Sequence, residues 1–230
     1  MAAFDFKKEY KDLYLPKQKP SLIQVPAMKY FMVTGKGNPN TSGEYANALG
    51  ILYGLSFTIK MSKKNGTQPP GYFDYVVPPL EGLWWTKTGG FDGQNITDKE
   101  LFCWISMIRQ PDFVDEDVYE QARAALAKKK PELDFSTTAF VEFEEGYCAQ
   151  IMHLGPYDTE PESIERLNSF VEEQGLVTDI TEPGAAFGNA VNLAADLKTY
   201  RLHHEIYLGD PRRTKPENLK TVIRHPVKKI

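Results

Sequence analysis

The sequence predicts an α+β protein in which a strand-helix-strand-strand unit occurs twice, its antiparallel sheets enclosing a central cleft. Three observations predict it. Residues 200–208 alternate: Leu202, Ile206 and Leu208 fall on one face with His204, while Arg201, His203, Glu205 and Tyr207 fall on the other, which is the period of a strand, closed by the turn signal Gly209-Asp210-Pro211. Residues 42–61 and 160–174 instead carry apolar side chains at helical spacing. The same order of elements, with a glycine break after the first strand, can be laid over both halves of the chain.

A chain of 230 residues is long enough to bury a substantial core, as one large domain or two small ones. A net charge of −4 gives no general reason to expect direct nucleic-acid binding. The dense basic segments, Lys128-Lys129-Lys130 and the tail around Arg212, Arg213, Lys215, Lys228 and Lys229, read as solvated faces or ends. Cys103 and Cys148 lack partners at metal-ligand spacing and read as buried thiols in a reducing cytosol. No targeting segment and no run of eighteen apolar residues is visible, so a cytoplasmic protein away from membranes is expected.

Taken in order, residues 1–27, interrupted by Pro16, Pro20 and Pro26, read as an N-terminal arm ending in an extended piece at Leu22–Val25. Lys29–Thr34 is rich in β-formers, and Gly35–Asn40 is a loop of turn residues. Ser42 is a candidate N-cap for a helix over 42–61, with Glu44 near its positive end and Tyr45, Leu49, Leu52, Tyr53, Phe57 and Met61 at helical spacing. Strands are expected at 73–77 and 82–86, joined through Pro78-Pro79-Leu80-Glu81, because a double proline cannot sit inside a sheet. Leu101, Phe102, Ile105 and Ile108 predict a helix over 98–109, capped by Thr97 or Asp98. A second helix, 115–129, carries Val118, Ala122, Ala125 and Leu126 on one side and is stopped by Pro131.

In the second half, Ala139–Phe143 reads as a strand, Glu145-Gly146 as a turn, and Tyr147–Leu154 as the returning strand, broken at Gly155-Pro156-Tyr157. The helix over 160–174 turns Ile164, Leu167, Phe170 and Val171 inward, and Gly175 is a natural C′ residue. A long loop from Pro183 to Asn192 leads to the alternating strand, and Thr221–His225 reads as the last strand.

Laid over each other, strand 29–34, helix 42–61 and strands 73–77 and 82–86 correspond to strand 147–154, helix 160–174 and strands 200–208 and 221–225. Each unit is too small to bury its helix face alone. Two paired about a pseudo-twofold axis share a core and leave a groove. The expected organisation is an arm at 1–27 and a single domain at 28–230, with a first repeat at 28–90, connecting helices at 97–130 and a second repeat at 138–228.

Met152-His153-Leu154-Gly155-Pro156-Tyr157, followed by an amphipathic helix and then by His204-Glu205-Ile206-Tyr207-Leu208, resembles the GyrI-like small-molecule-binding domain. That domain is the effector-binding module of some bacterial transcription activators and also occurs alone. The first half, with residues 30–37, 52–55 and 78–85, is similar to the stand-alone subgroup, and the resemblance spans about residues 20–228. It implies a duplicated fold whose cleft takes flat, often cationic or aromatic compounds, with an acidic residue of the late strand at the bottom, here Glu205. Some stand-alone members open the cyclopropane ring of DNA-alkylating natural products with that glutamate and a nearby tyrosine. No helix-turn-helix module precedes the domain, so a direct role as a transcription factor is not expected.

Glu205 is therefore the leading candidate: a poorly solvated carboxylate attracts a ligand cation or acts as general base or acid, unless it merely bonds Arg201 or His203 on its own strand face. Tyr147 and Tyr207 are candidates to present a phenol to a developing oxyanion, with Tyr147 the favoured one, or are core rings with satisfied hydroxyls. Trp84 and Trp85 point to opposite faces of one strand, so at most one lines the cleft, where it offers stacking and cation–π contact worth roughly 0.5–2 kcal/mol. Phe73, Tyr75, Tyr30 and Met32 are further wall candidates, each more often plain core than ligand contact, and His153 reads as a satisfied structural group ahead of a base.

No phosphate-binding loop, nucleophile elbow or metal set is legible; adjacent His203 and His204 point opposite ways and cannot share one metal. No cofactor is expected, and monomer and homodimer both fit. Three roles follow: a hydrolase of reactive electrophiles serving detoxification or drug resistance, a non-catalytic binder or sensor of flat hydrophobic or cationic drugs, or an interaction protein. The first needs Glu205 and water, the second only the aromatic walls and the charge, the third neither.

Overall fold

The computed structural model describes residues 2–86, 98–181, 183, 187, 190 and 192–230. In chain order the elements are β1 (Phe4–Asp5), α1 (Phe6–Glu9), α2 (Lys11–Tyr14), β2 (Ser21–Lys36), α3 (Gly43–Met61), β3 (Tyr75–Val76), β4 (Leu80–Thr86), β5 (Phe102–Arg109), α4 (Glu116–Lys129), β6 (Thr138–Leu154), α5 (Glu160–Glu173), β7 (Leu176–Thr178), α6 (Leu193–Thr199), β8 (His203–Tyr207) and β9 (Lys220–Lys229).

One large antiparallel sheet organises them. β5 lies between β2 and β4, and β9 lies between β6 and β8, giving two three-stranded blocks. The blocks meet at β4–β8 and again at β2–β6, so six strands close on themselves, with β7 added on β9. One face of this sheet lines an interior packed with Tyr30, Met32, Leu83, Trp85, Met107, Val222 and Ile206, capped by Tyr14 of α2 and Leu197 of α6. The outer face carries two separate layers: α3 and α4 pack on Phe31, Val33, Trp84, Trp104 and Ile108, and α5 packs on Ala149, Ile151, Ile223 and Val227.

Several local signals act as read. The Ser42 hydroxyl accepts from Glu44 N (3.2 Å) to cap α3, and Gly175 follows α5 with φ +67°. The helix read over 115–129 is α4, with Asp115, not singled out in the sequence, capping it through Val118 N (2.9 Å). The stripe Ile164, Leu167 and Val171 is buried.

Others are overturned. Residues 102–109 form strand β5, not a helix, after a single 3-10 turn at Lys99–Leu101; Thr97 lies outside the described residues. The strand is covered on both faces, so its apolar residues are continuous, and a continuous run fits a helical template as readily as a strand. Its insertion moves the first unit's paired strands to β4 and β5. Of residues 73–77 only Tyr75–Val76 is strand, paired in parallel with β1, whereas Leu80 and Glu81, read as connection, belong to β4. Glu145-Gly146 is not a turn. Gly146 takes φ +77°, and β6 runs through it in one register with β2. At this point both strands exchange faces: Ile23 and Val25 then Met28 and Tyr30 point inward on β2, and Phe143 then Cys148 on β6, with Pro26 supplying no amide where the strands bend. α3 also turns a different face inward, burying Ala48, Ile51, Leu52, Leu55 and Ile59 and leaving Tyr53 and Phe57 exposed. It is apolar almost all round, so periodicity alone does not choose the buried side.

The interior also buries charge. His204 Nδ1 lies 3.0 Å from Glu145 Oε2 and its Nε2 lies 3.1 Å from Glu81 Oε2. Arg224 donates to Glu145 Oε2 (3.2 Å), to Gln150 Oε1 (3.0 Å) and to the Leu13 carbonyl (2.7 Å). The Tyr14 and Tyr30 hydroxyls donate to Glu81 at 3.4 and 3.5 Å. Burial opposes charge on His204, but Glu145 and Glu81 outweigh it and raise its pKa to about 9. Burial likewise opposes charge on Glu145, and His204 and Arg224 overcome it, lowering its pKa to about 2. His204, raised above its ordinary 6.5, contributes stability that is complete below 6.5 and is lost as pH rises through about 9. Glu145, depressed from 4.5, contributes stability that is present above 4.5 and is lost as pH falls through about 2. Urea unfolding is therefore expected to lose on the order of 3 kcal/mol between pH 6 and pH 9 in the wild type. The variant His204→Gln, less stable at pH 6, is expected to lose most of that slope; an unchanged slope contradicts the assignment.

Candidate functional site

The site lies on the outer face where the two blocks join at β4–β8, between α3 on one block and the start of α5 on the other. Alternation on β8 sends His203, Glu205 and Tyr207 to this face and His204 and Ile206 to the interior. Glu205 pairs with Gly82 across the junction. A Cβ at Gly82 would lie 2.6 Å from Trp84 Nε1 and 3.2 Å from the Tyr207 hydroxyl oxygen, so only the bare backbone lets indole and phenol meet over β4.

The groups form a directed run. Trp84 Nε1–H donates to the Tyr207 hydroxyl (2.8 Å), which donates to Glu205 Oε2 (2.7 Å). His203 Nε2 lies 2.9 Å from Glu205 Oε1, and its Nδ1 lies 2.7 Å from His225 Nε2. The Glu205 side chain is 13% exposed, so the carboxylate keeps some contact with solvent. Burial, then its neighbour His203, holds His225 well below the ordinary imidazole range, so it is neutral. Its Nδ1 is buried with no hydrogen-bond partner among the described residues, which suits a lone pair and not a proton. The proton therefore sits on Nε2 and points at His203 Nδ1, leaving His203 to present Nε2–H to Glu205.

Aromatic rings wall the site. Tyr45 of α3 lies 6.1 Å from Trp84 and packs edge-on to Trp104 at 5.0 Å; Phe102 meets Trp84 at 5.3 Å, and Tyr157 meets Tyr207 at 5.8 Å. Burial and then Glu205 push Tyr207 well above the ordinary phenol range; burial, then Glu160 and Glu205, push Tyr157 up to about 12, so both phenols stay protonated. Glu160, in the first turn of α5, is buried, and burial followed by the charge of Glu205 holds it well above the usual carboxylate range. It is a neutral acid beside an acceptor, an arrangement that separates acid and base roles.

Of the residues expected at the site, the structure brings together Glu205, Tyr207 and Trp84. Trp85 lies on the inner face against Phe187 (4.8 Å), and Tyr30, Met32 and Tyr75 belong to the interior core. Phe73 is exposed against Phe4 and Phe113, both at 5.4 Å. Tyr147 is exposed and is not brought to Glu205: Glu205 pairs with Ile223, Ile223 pairs with Ile151, and Tyr147 lies four residues further along β6. His153 bonds Ser163 Oγ (2.9 Å) and the Pro156 carbonyl (3.1 Å), fixing the β6–α5 corner that presents Tyr157 and Glu160.

Sequence reasoning missed Tyr45, Tyr157, Glu160 and His225. Glu160 carried a signal, because it occupies the same helical stripe as Ile164, Leu167 and Val171, and a carboxylate on a buried stripe needs a reason. Among the described residues no group of three or more His, Cys, Asp or Glu is placed to hold a metal ion, and no helix is long and apolar enough to cross a membrane.

Residues 18–185 match the family model of the GyrI-like small molecule binding domain. Three solved structures from Listeria innocua are similar over nearly the whole chain. An uncharacterized conserved protein is 45% identical with a TM-score of 0.83, covering 98% of this chain and 100% of its own. Two hydrolases are 43% and 42% identical, with TM-scores of 0.80 and 0.82, covering 98% and 99% of this chain and 100% of theirs. A search of curated proteins gives no match.

Long-range 1H–15N NMR at pH 7 is expected to find His225 neutral with its proton on Nε2, and to find the His203 nitrogen signals displaced in His225→Phe. A protonated Nδ1 on His225 would contradict the hydrogen-bond direction.

Proposed function

The chain belongs to the GyrI-like small-molecule-binding domain family, and we propose that its outer cleft binds a flat, hydrophobic or cationic aromatic compound and hydrolyses electrophiles such as cyclopropane-bearing alkylators. The observation that carries this reading is the run Trp84–Tyr207–Glu205 on the floor of an aromatic cleft. The identity to two hydrolases supports it.

Glu205 takes a proton from water as the oxygen attacks a cyclopropane carbon. A water O–H bond breaks, a C–O bond forms, and the strained C–C electron pair moves through the conjugated ligand to its carbonyl oxygen. Tyr207 gives that oxygen its proton and is reprotonated by Glu205, so the proton returns along an existing hydrogen bond of 2.7 Å. The phenol role falls to Tyr207 because Tyr147 is placed elsewhere on the sheet. His203 and His225 orient the carboxylate. Trp84, Tyr45 and Tyr157 stack the ligand and narrow the access of water. Detoxification is the cellular role consistent with this chemistry.

Sequestration without turnover is the second reading. It is favoured by Glu205 already accepting hydrogen bonds at both oxygens, an arrangement that suits a counter-charge for a bound cation.

Time-resolved mass spectrometry of a cyclopropane-bearing alkylator is the test. Wild type is expected to add water with turnover, Glu205→Gln to lower kcat/KM by roughly 10²–10⁴, and Tyr207→Phe to lower it less. Tyr147→Phe is expected to stay within about twofold. If wild type binds the compound and returns it unchanged, sequestration replaces hydrolysis.

A further inference from the structure

On the reading of the outer face as a ligand site, catalytic or not, we propose that Glu160 regulates the charge of that site. It keeps its proton when the bound compound is neutral and yields it to solvent when a ligand of fixed positive charge enters.

Two carboxyl groups approach Tyr207. Glu205 precedes it by two residues on β8 and accepts from its hydroxyl at 2.7 Å. Glu160 comes from the first turn of α5: Thr221, the partner of Tyr207 across β8–β9, is a near neighbour of its side chain, and Tyr157, three residues earlier, packs on the Tyr207 ring at 5.8 Å. Glu160 is 6% exposed, and its Oε1 is buried with no hydrogen-bond partner among the described residues. The cation that acts on it is Lys99, from the turn before β5, and Lys99 is engaged by Asp158 at 3.3 Å. Ionised, Glu160 would be a buried, poorly compensated charge beside a second carboxylate, and the neutral acid avoids both costs.

The other titratable neighbours do not take this role. Tyr207 and Tyr157 stay protonated. His153 of β6 is turned to Ser163 Oγ and the Pro156 carbonyl, and His203 and His225 are turned to Glu205 and to each other. Asp158, Glu162 and Glu165 are exposed, where water and salt screen them.

A fixed cation changes the balance. Glu205 keeps some contact with solvent and meets the cation directly, while the aromatic rings offer it their faces. Glu160 needs no contact with the ligand. In a poorly hydrated site charge acts over several ångströms, and a cation beside Glu205 offsets the repulsion that holds the proton on Glu160. One positive charge enters and one proton leaves, so the net charge of the cleft is unchanged. A neutral ligand offers no such compensation and leaves the proton in place.

Calorimetric titration with N-methylquinolinium, a flat fixed cation, against its neutral isostere 1-methylnaphthalene tests the proposal. Run in phosphate and in Tris, whose heats of ionisation differ, the titration counts protons. Wild type is expected to release about one proton per N-methylquinolinium bound and none for 1-methylnaphthalene, so that affinity for the cation alone rises, by up to about tenfold per pH unit. Glu160→Gln is expected to bind the cation with no proton release and a flat pH profile, and Glu160→Met serves if Glu160→Gln melts early. Cation binding without proton release, or release that persists in the Glu160 variants, overturns this proposal and leaves the ligand site in place. No saturable binding of N-methylquinolinium, or binding indifferent to Glu205→Gln and to Trp84→Ala, overturns both.

Discussion

A carboxylate taken out of water must find donors, and Glu205 finds both on its own strand, two residues to either side. That spacing works only because a strand returns to the same face every second residue. Tyr207 and His203 thus hold Glu205 without help from a loop, and each is held in turn by the neighbouring strands, Tyr207 by Trp84 of β4 and His203 by His225 of β9. The arrangement needs the two blocks to be joined. Trp84 and Gly82 come from the first block, β8 and β9 from the second. The bare backbone at Gly82 is what lets the first block's indole reach across the junction. Rigid ladders on both sides give the precision that a loop-borne site would lack.

The two faces of β8 solve the burial of polar groups in opposite ways. Inside, His204 is charged because carboxylates meet both of its nitrogens, and the network is drawn tight by Arg224. Outside, burial first and then the neighbouring His203 hold His225 neutral, since its ring partner is an imidazole and not a carboxylate. His203 and His204 are adjacent in the chain, yet one is wired to a cleft carboxylate and the other to a structural core. Glu160 follows the same logic on the cleft side: with Glu205 nearby and little water, it keeps its proton. The inner face anchors the fold at the level of charge, and the outer face retains a carboxylate with access to solvent.

How much of this was legible depends on whether a signal is local. The cap at Ser42, the C′ glycine at Gly175 and the buried stripe of α5 involve residues within four positions of one another, and their chemistry is complete in the sequence. The alternation on β8 is also local, and it placed Glu205 and Tyr207 on one face. β5 was not legible, because a strand covered on both sides loses its alternation. The inward face of α3 was not legible either, since an evenly apolar helix is oriented by what it packs against. Tyr45, Tyr157, Glu160 and His225 come to the neighbourhood of Glu205 from four separate elements, and no spacing within the chain ties them to it.

By itself the sequence determined the class of fold and singled out Glu205 and Tyr207 as sharing one strand face, because these rest on period and residue type along a single element; the first unit's strands, read at 73–77 and 82–86, are β4 and β5 once the sheet is packed. The tertiary structure alone decided that Trp84, not Trp85, and Tyr207, not Tyr147, lie beside Glu205, and that His153 braces a corner. Each of those outcomes depends on strand register and on where β2 and β6 exchange faces, and register is fixed by the packing of the closed sheet.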